Sequence, residues 1–262
     1  MNASRDVSTF RPTDRFSDRV ENYIKYRPGY PAGVLALMRE EMALTPSSVV
    51  ADIGSGTGLL TRMFLQNGNA VYGVEPNREM REAGERLLEE FPSFKSVEGT
   101  AEATNLDGAS VDFVTAGQAF HWFDVPRARR EFQRILRPGG RVVLVWNNRA
   151  ASPTPFLADY ERLLVEFGND YQQVSAGYAH EESLRALFTG GYEQKVFDNR
   201  QLLNHESLRG RLLSCSYVPL EADPRHGPML ERLREIFDAH QRDGRVSMDY
   251  DTQIFYGVIS DE

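Results

Sequence analysis

The chain has 262 residues, 41% hydrophobic and 26% charged, which is typical of a folded globular protein and excludes disorder along its whole length. Its 30 basic and 38 acidic side chains give a net charge of −8, which disfavours nucleic-acid partners because these need a basic surface. The single cysteine excludes an internal disulfide and a multi-cysteine metal site, and the absence of a long apolar run or secretory signal predicts a cytoplasmic protein with no metal and no membrane partner.

The N-terminal part of the sequence indicates two short helices separated by a rigid turn. Residues 1–16 are polar and show no apolar period. Apolar residues recur at helical spacing from Phe16 to Tyr26, and a second helix is expected from Ala32 to Ala43. Between them, Arg27–Pro31 must interrupt the helix, because its two prolines fix φ and lack a backbone donor. We therefore predict a helical cover over 1–44.

Further along the chain, short apolar runs alternate with amphipathic stretches. The predicted strands are Val49–Ile53, Ala70–Val74, Lys95–Glu98, Val111–Thr115 and Arg141–Trp146. Helices follow the first, second and fourth of these strands, and Asp124 caps the last helix. Such alternation predicts an α/β fold with a doubly wound, mostly parallel sheet and helices on both faces, in one domain over 1–262.

The remaining residues, 149–262, are less regular. Two more strands are expected at Glu193–Leu203 and Arg245–Ile259, which brings the sheet to seven strands. The stretches of about 150–190 and 205–244 are helical in pattern and contain several aromatic residues. We expect these C-terminal insertions to form a helical lid that selects the substrate.

Three alternating glycines between the first strand and its helix are the most informative motif. The segment reads Asp52-Ile53-Gly54-Ser55-Gly56-Thr57-Gly58. The glycines let the backbone turn tightly against a ligand, and the next helix presents its amide donors there. A dinucleotide fingerprint requires glycine or alanine where Leu59 stands, so a nicotinamide-dependent dehydrogenase is the weaker alternative. Glu75 ends the second strand, where a carboxylate can accept both ribose hydroxyls.

This loop, with its preceding acidic residue and its third glycine at Gly58, resembles motif I of the class I S-adenosylmethionine-dependent methyltransferases. The segments Gly99–Glu102, Val111–Gln118 and Leu136–Gly140 resemble later motifs of that family, in the family's order. The resemblance covers about 45–148, the expected cofactor-binding core. It implies S-adenosyl-L-methionine as the cofactor.

The resemblance also implies roles for individual residues. Asp52 would lie near the ammonium group of the cofactor, Glu75 would hold the ribose, and Gln118 would face the sulfonium. Many relatives have aspartate where this chain has Thr100, which leaves the contact to the adenine amino group open. The candidate cofactor-binding residues are Arg27, Asp52, Gly54, Ser55, Gly56, Glu75, Asn77, Thr100, Ala101, Glu102 and Gln118.

Two other segments, Arg27–Pro31 and Gln118–Asp124, resemble a small-molecule subgroup similar to trans-aconitate methyltransferases. The second segment leaves the end of a strand, so its aromatic rings are expected beside the cofactor, where they would shield the sulfonium. His121 is a candidate catalytic base, with a role in the pocket wall as the alternative. The candidate substrate-binding residues are Tyr30, Phe120, His121, Trp122 and Tyr217.

Together these features predict a methyltransferase that acts on a small organic molecule by direct in-line transfer. Strand four ends in Ala116-Gly117-Gln118 and lacks the Asn/Asp-Pro-Pro-Tyr pattern associated with amide or adenine amino methylation, so O-methylation of a carboxylate or hydroxyl is favoured. A carboxylate needs no base whereas a hydroxyl does, and the role of His121 depends on that choice. A non-catalytic, cofactor-binding regulatory protein is the other alternative, and Cys215 is expected to be inert.

Overall fold

The five strands predicted in the cofactor-binding core lie side by side in a computed structural model, which describes residues 19–152, 154–172 and 181–259. The expectations for residues 1–16, for Phe16 and for parts of the lid lie outside the described residues. The strands are β1 (Val49–Ile53), β2 (Ala70–Val74), β3 (Phe94–Val97), β4 (Val111–Gly117) and β5 (Leu136–Arg149). Their order is β3-β2-β1-β4-β5, and all neighbours are parallel.

β5 is longer than predicted at both ends. The preceding helix ends at Ile135 and the strand begins at Leu136, which pairs with Val111 on β4. The register then shifts before Arg141, so the Pro-Gly-Gly segment is an irregularity inside the strand rather than a turn before it. At its other end β5 continues to Arg149 because it pairs there with the antiparallel strand described next.

Two C-terminal strands complete the sheet. β7 (Val246–Gly257) pairs antiparallel with β5, and β6 (Glu193–Leu203) pairs antiparallel with β7. The final order is β3-β2-β1-β4-β5-β7-β6. The prediction of a mostly parallel, seven-stranded α/β sheet is therefore confirmed. Most of β7 alternates between buried and partly exposed residues, as its sequence indicated.

Helices cover both faces of this sheet, as predicted. They are α1 (Val20–Tyr26), α2 (Ala32–Met42), α3 (Leu59–Gln66), α4 (Arg78–Leu87), α5 (Val125–Ile135), α6 (Pro155–Phe167), α7 (Glu181–Leu187), α8 (His205–Leu213) and α9 (His226–His240). One core cluster joins α2 and α3 to the sheet, and another joins α5 and α7 to it. None of the helices in the described ranges has the length and apolar character of a membrane span.

The helices α6, α8 and α9 form a separate cluster beyond the sheet. Their apolar side chains pack with each other and with the first half of β7, including Met248 and Tyr250. Tyr250 pairs with Arg149 at the end of β5, so the cluster stands over the ends of the parallel strands. α1 packs closely on α8, where a Cβ at Gly210 would lie 2.0 Å from the Tyr26 ring. The helical cluster and the N-terminal helices thus enclose the strand ends.

Candidate active site

Two cavities meet at Gln118, the residue that follows β4. Gln118 lines both cavities and has a positive φ of 58°, which is uncommon for a residue other than glycine and typical of functional sites. Its Nε2 donates to the Asn147 carbonyl at 3.0 Å. Ligand crevices of open α/β sheets lie at the carboxyl ends of the strands, and both cavities are there.

The first cavity contains the glycine loop. Gly54, Gly56 and Gly58 have φ values of 68°, 56° and 88°, a left-handed conformation that glycine adopts without steric cost. A Cβ at Gly54 would lie 2.6 Å from the Ala119 Cβ, and one at Gly58 would lie 2.6 Å from Leu88 Cδ1. The loop therefore needs glycine for its conformation and for its close packing.

Glu75 joins the end of β2 to this loop. Its side chain is only 8% exposed. Oε2 accepts from the Gly56 backbone N–H at 2.9 Å and Oε1 accepts from the Asn77 N–H at 2.8 Å. Burial raises the pKa of Glu75, while these two backbone hydrogen bonds lower it. A carboxylate offers about four acceptor positions, so Glu75 retains capacity for a ribose diol, and the donor set fits a nucleoside.

Asp52 lies beneath the loop, at 1% exposure. Its carboxylate accepts from the Thr61 hydroxyl at 2.6 Å and from the Thr115 hydroxyl at 3.0 Å. Burial raises the pKa of Asp52 to about 6, although both threonine hydrogen bonds lower it. Asp52 does not line the first cavity, and its pairing with the cofactor ammonium stays a prediction. The pH dependence of cofactor binding can test it.

We expect S-adenosylhomocysteine to bind up to tenfold more weakly at pH 5 than at pH 7. A nearby ammonium favours the ionised carboxylate, so Asp52, with a free-protein pKa of about 6, must release a proton on binding. Affinity then falls as pH falls through this pKa, by at most about tenfold per pH unit. Calorimetric titration across this range measures the slope, and Asp52→Asn should flatten it. Equal slopes in both proteins would rule out the ammonium role of Asp52.

The other predicted cofactor residues occupy several positions. Seven of them line the first cavity: Gly54, Gly56, Glu75, Thr100, Ala101, Glu102 and Gln118. Asn77 caps α4, its Oδ1 accepting from the Met80 N–H at 2.8 Å. The Ser55 hydroxyl is turned toward Gly73 in β2. Arg27 lines the second cavity instead. Tyr23, which the sequence analysis did not select, also lines the first cavity.

Some aromatic residues of the segment after β4 line the first cavity, and others are buried in the core. Trp122 lines the first cavity, whereas Phe120 is 2% exposed and packs edge-on against Trp146 in the core. His121 is not among the residues lining either cavity. Burial lowers the pKa of His121 to about 3, so its imidazole is neutral at physiological pH. The candidate substrate residue Tyr30 packs against Gly117, where a Cβ would lie 2.4 Å from its hydroxyl.

The second cavity, of about 630 Å³, is rich in arginine and tyrosine. Arg149 donates from Nε to Glu161 at 3.1 Å and also contacts the Tyr171 hydroxyl. Arg211 donates from Nε to the Tyr250 hydroxyl at 3.2 Å. The predicted substrate residue Tyr217 lines this cavity. Among the described residues, no cluster of three histidine, cysteine or acidic side chains is suited to a metal ion.

Arg27 connects the two cavities. Its guanidinium carbon lies 4.9 Å from the ring centre of Tyr23, which lines the first cavity. Its Nη2 donates to the Ser214 carbonyl at 2.9 Å. The Nε of Arg27 is buried and has no hydrogen-bond partner among the described residues. A buried donor without a partner is costly, so this nitrogen is available to a bound anion.

The sequence analysis missed most of the second cavity. Asn147 and Arg149 follow the apolar run of β5, and the rule that strand ends face the ligand could have selected both. Arg211 is 5% exposed on a helix. No sequence signal separates it from the exposed arginine two positions earlier, because only the packing of α6, α8 and β7 buries it.

Comparisons with known proteins identify methyltransferases among the relatives of this chain. A family model described as a methyltransferase domain matches residues 51–144. An uncharacterized methyltransferase of Schizosaccharomyces pombe is 29% identical over 205 residues, covering 75% of this chain and 80% of the relative. An uncharacterized methyltransferase of Mycobacterium bovis is 40% identical over 134 residues, covering 51% and 52% of the two chains.

Solved structures show the same fold. A candidate type II methyltransferase from Anaeromyxobacter dehalogenans superposes with a TM-score of 0.67 at 22% identity, over 89% of this chain and 98% of the other. A phosphoethanolamine N-methyltransferase from Haemonchus contortus, solved with S-adenosylhomocysteine, has a TM-score of 0.56 at 14% identity, over 98% of this chain and 60% of the other. Sequence motifs, fold and relatives agree: the chain carries a methyltransferase domain over residues 51–144, which supports methyl transfer with S-adenosylmethionine as the cofactor.

Proposed function

We propose that the enzyme methylates a carboxylate oxygen of a small organic acid, which binds in the second cavity. The position of this cavity supports the proposal, since Gln118 lines both cavities. A volume of about 630 Å³ falls within the usual range for sites of small molecules. Its walls hold three arginines, the residue type best suited to grip a carboxylate with two parallel hydrogen bonds.

The charge balance of the cavity is the observation that carries this proposal. Arg149 is neutralised by Glu161, at 3.0 Å. Within the described ranges, neither Arg27 nor Arg211 lies within ion-pair distance of a carboxylate. A buried cation that no carboxylate neutralises costs several kcal/mol, and a substrate carboxylate would offset that cost. A protonated amine acceptor would add a cation to a wall in which two of the three arginines already lack a carboxylate partner among the residues that the structure describes, so it is disfavoured.

The chain's own residues then have simple tasks in catalysis. The bound cofactor supplies an electrophilic methyl group on a positively charged sulfur. Arg27, which lines the second cavity and stacks on Tyr23 of the first, orients the acceptor carboxylate so that one oxygen lone pair points along the line of transfer. Holding the two groups in line can contribute roughly 7–11 kcal/mol, and the enclosing helices exclude water. Because a carboxylate is already ionised at neutral pH, no residue has to remove a proton.

His121→Asn should therefore leave kcat for an acid substrate within about threefold of wild type. A base with a pKa of about 3 is far from the operating pH, where general-base catalysis is most effective. The measurement is kcat against pH between 6 and 9 for both proteins, which should give parallel, flat profiles. A loss of 100-fold or more, or a rising limb that disappears in the variant, would restore His121 as a base.

The acceptor class can be tested by transfer of labelled methyl groups to matched small molecules. Each panel member should be offered as the acid, the primary amide, the alcohol and the amine on one carbon skeleton. We expect label only on acids, in a product that mild alkali hydrolyses because it is a methyl ester. Alkali-stable label on an alcohol, a phenol or an amine would refute the carboxylate proposal without affecting the assignment as a methyltransferase.

A further inference from the structure

The only cysteine of the chain lies directly behind the arginines of the second cavity. Cys215 is 1% exposed. Its Sγ accepts from Arg211 Nη1 at 3.2 Å and receives a second hydrogen bond from Tyr217. As a thiol it donates only weakly, to the Arg211 carbonyl at 3.6 Å. Two donors on the sulfur, one of them cationic, favour the thiolate over the thiol.

A second observation beside Cys215 points to a ligand. The hydroxyl of Tyr160 on α6 is buried, and it has no hydrogen-bond partner among the described residues. After burial, the charges of Cys215 and Arg211 have the largest effects on the pKa of this hydroxyl. The Tyr160 hydroxyl therefore lies close to both of these side chains. The Tyr160 hydroxyl and the Nε of Arg27 are thus two buried donors near the sulfur that have no acceptor among the described residues. A bound group that carries oxygen atoms would satisfy them.

The electrostatic surroundings of the sulfur are strongly cationic. The charged and titratable groups that face it are Arg211 on α8, Arg27, Arg149 on β5, Tyr217, and Tyr160 on α6. Burial raises the pKa of the thiol, but the positive charges of Arg211 and Arg27 outweigh this effect and bring the pKa down to about 7. A substantial fraction is therefore thiolate at neutral pH. The sulfur is in direct contact with Arg211, whose side chain lines the second cavity.

We propose that Cys215 is a covalent modification site for small electrophilic carboxylates that enter the acceptor cavity. The proposal rests on the proposed function only in its premise that the cavity binds small anions. The arginines would hold the carboxylate of the reagent while the thiolate attacks its electrophilic carbon. Modification would leave a carboxylate bound to Arg211 and so close the acceptor site, while the cofactor site stays open.

The chemistry needs no partner beyond the electrophile. With an α-halo acid, the thiolate electron pair forms an S–C bond, the carbon–halogen bond breaks, and halide leaves. With an α,β-unsaturated acid, the thiolate adds to the β-carbon and the α-carbon takes a proton from solvent. Neither route changes the oxidation state of the protein as a whole, and both give a thioether.

Iodoacetate and its neutral analogue iodoacetamide test the proposal on the intact enzyme. We expect iodoacetate to react about tenfold faster than iodoacetamide with the native protein, because cationic sites concentrate anions to this degree. The same chain unfolded in urea should show no such preference, and it serves as the reference. Intact-mass spectrometry measures both rates without methyl transfer, and Cys215→Ser should take up no label.

Two further readouts separate the possible outcomes. Arg211→Gln should remove the preference for iodoacetate, whereas Arg209→Gln, an exposed position on the same helix, should keep it. The carboxymethylated enzyme should bind S-adenosylhomocysteine with unchanged affinity. Faster reaction with iodoacetamide in the native protein, or no reaction with either reagent until the chain unfolds, would overturn the proposal. Preference for iodoacetate in an enzyme that methylates only alcohols would support this site and refute the carboxylate acceptor.

Discussion

Glu75→Gln should weaken binding of S-adenosylhomocysteine by about 100-fold. The carboxylate holds the loop N–H of Gly56 and the helix-entry N–H of Asn77, and it is the predicted acceptor for the ribose hydroxyls. Glutamine keeps one acceptor oxygen but places an N–H₂ group against a backbone donor. Loss of a charged hydrogen-bond acceptor in a buried site costs about 3 kcal/mol, which corresponds to roughly 100-fold in Kd. Isothermal titration calorimetry measures the change.

A nearby carboxylate provides the matched control for this variant. Arg81 bonds to the Glu75 backbone carbonyl with one nitrogen and to the exposed side chain of Glu98 with another. Glu98→Gln removes the same charge from an exposed neighbour that shares Arg81 with Glu75, and it should change Kd by less than threefold. Circular dichroism confirms that both variants are folded. Binding within threefold of wild type in Glu75→Gln would contradict the ribose assignment.

The fold and most residues that line the first cavity could be predicted because they depend on local signals. Strand ends, the glycine loop and the acidic residue after β2 are each encoded within a few neighbouring positions. The loop glycines at 54, 56 and 58 all adopt the left-handed conformation that their residue type suggests. The end of β5 was predicted too short, since its extension to Arg149 depends on pairing with β7, which lies about a hundred residues away in the chain.

The acceptor half could not be predicted in the same way, because it is built from side chains brought together by long-range packing. Arg27 precedes α2, Arg149 ends β5 and Arg211 lies on α8. Nothing in their neighbouring residues distinguishes them from the many exposed arginines of this chain. Tyr217 was selected only because it falls in the predicted lid, and Tyr250 has the burial pattern of an ordinary strand residue.

This difference has a functional consequence. Backbone groups provide much of the first cavity, so its form is fixed by the fold, and most of its lining residues fall within the part matched by the methyltransferase family model. The proposed acceptor site depends on individual side chains, nearly all of which lie outside the matched residues 51–144. Substitutions on α6 and α8 can therefore change the acceptor without disturbing the cofactor. Arg211 is the residue where this separation should be clearest.

Arg211→Met should raise KM for an acid substrate by about 100-fold while Kd for S-adenosylhomocysteine stays within threefold. Loss of a charge-assisted hydrogen bond to a buried carboxylate costs about 3 kcal/mol, and the first cavity does not include Arg211. The thermal midpoint should not fall, because a buried cation without a carboxylate partner contributes little to stability and an apolar residue of similar size can replace it. Steady-state kinetics, calorimetry and thermal unfolding give the three values.

Two companion variants distinguish recognition from packing. Arg211→Lys keeps the charge but loses the planar fork, so it should recover only part of the affinity. Arg209→Gln, which removes an exposed charge from the same helix, should leave KM unchanged. A fall in the unfolding midpoint of Arg211→Met with little change in KM would show that Arg211 serves the packing of α8 against Tyr250. A raised KM with an unchanged unfolding midpoint in Arg211→Met would show that the Arg211 guanidinium binds the substrate anion and does not stabilise the free enzyme.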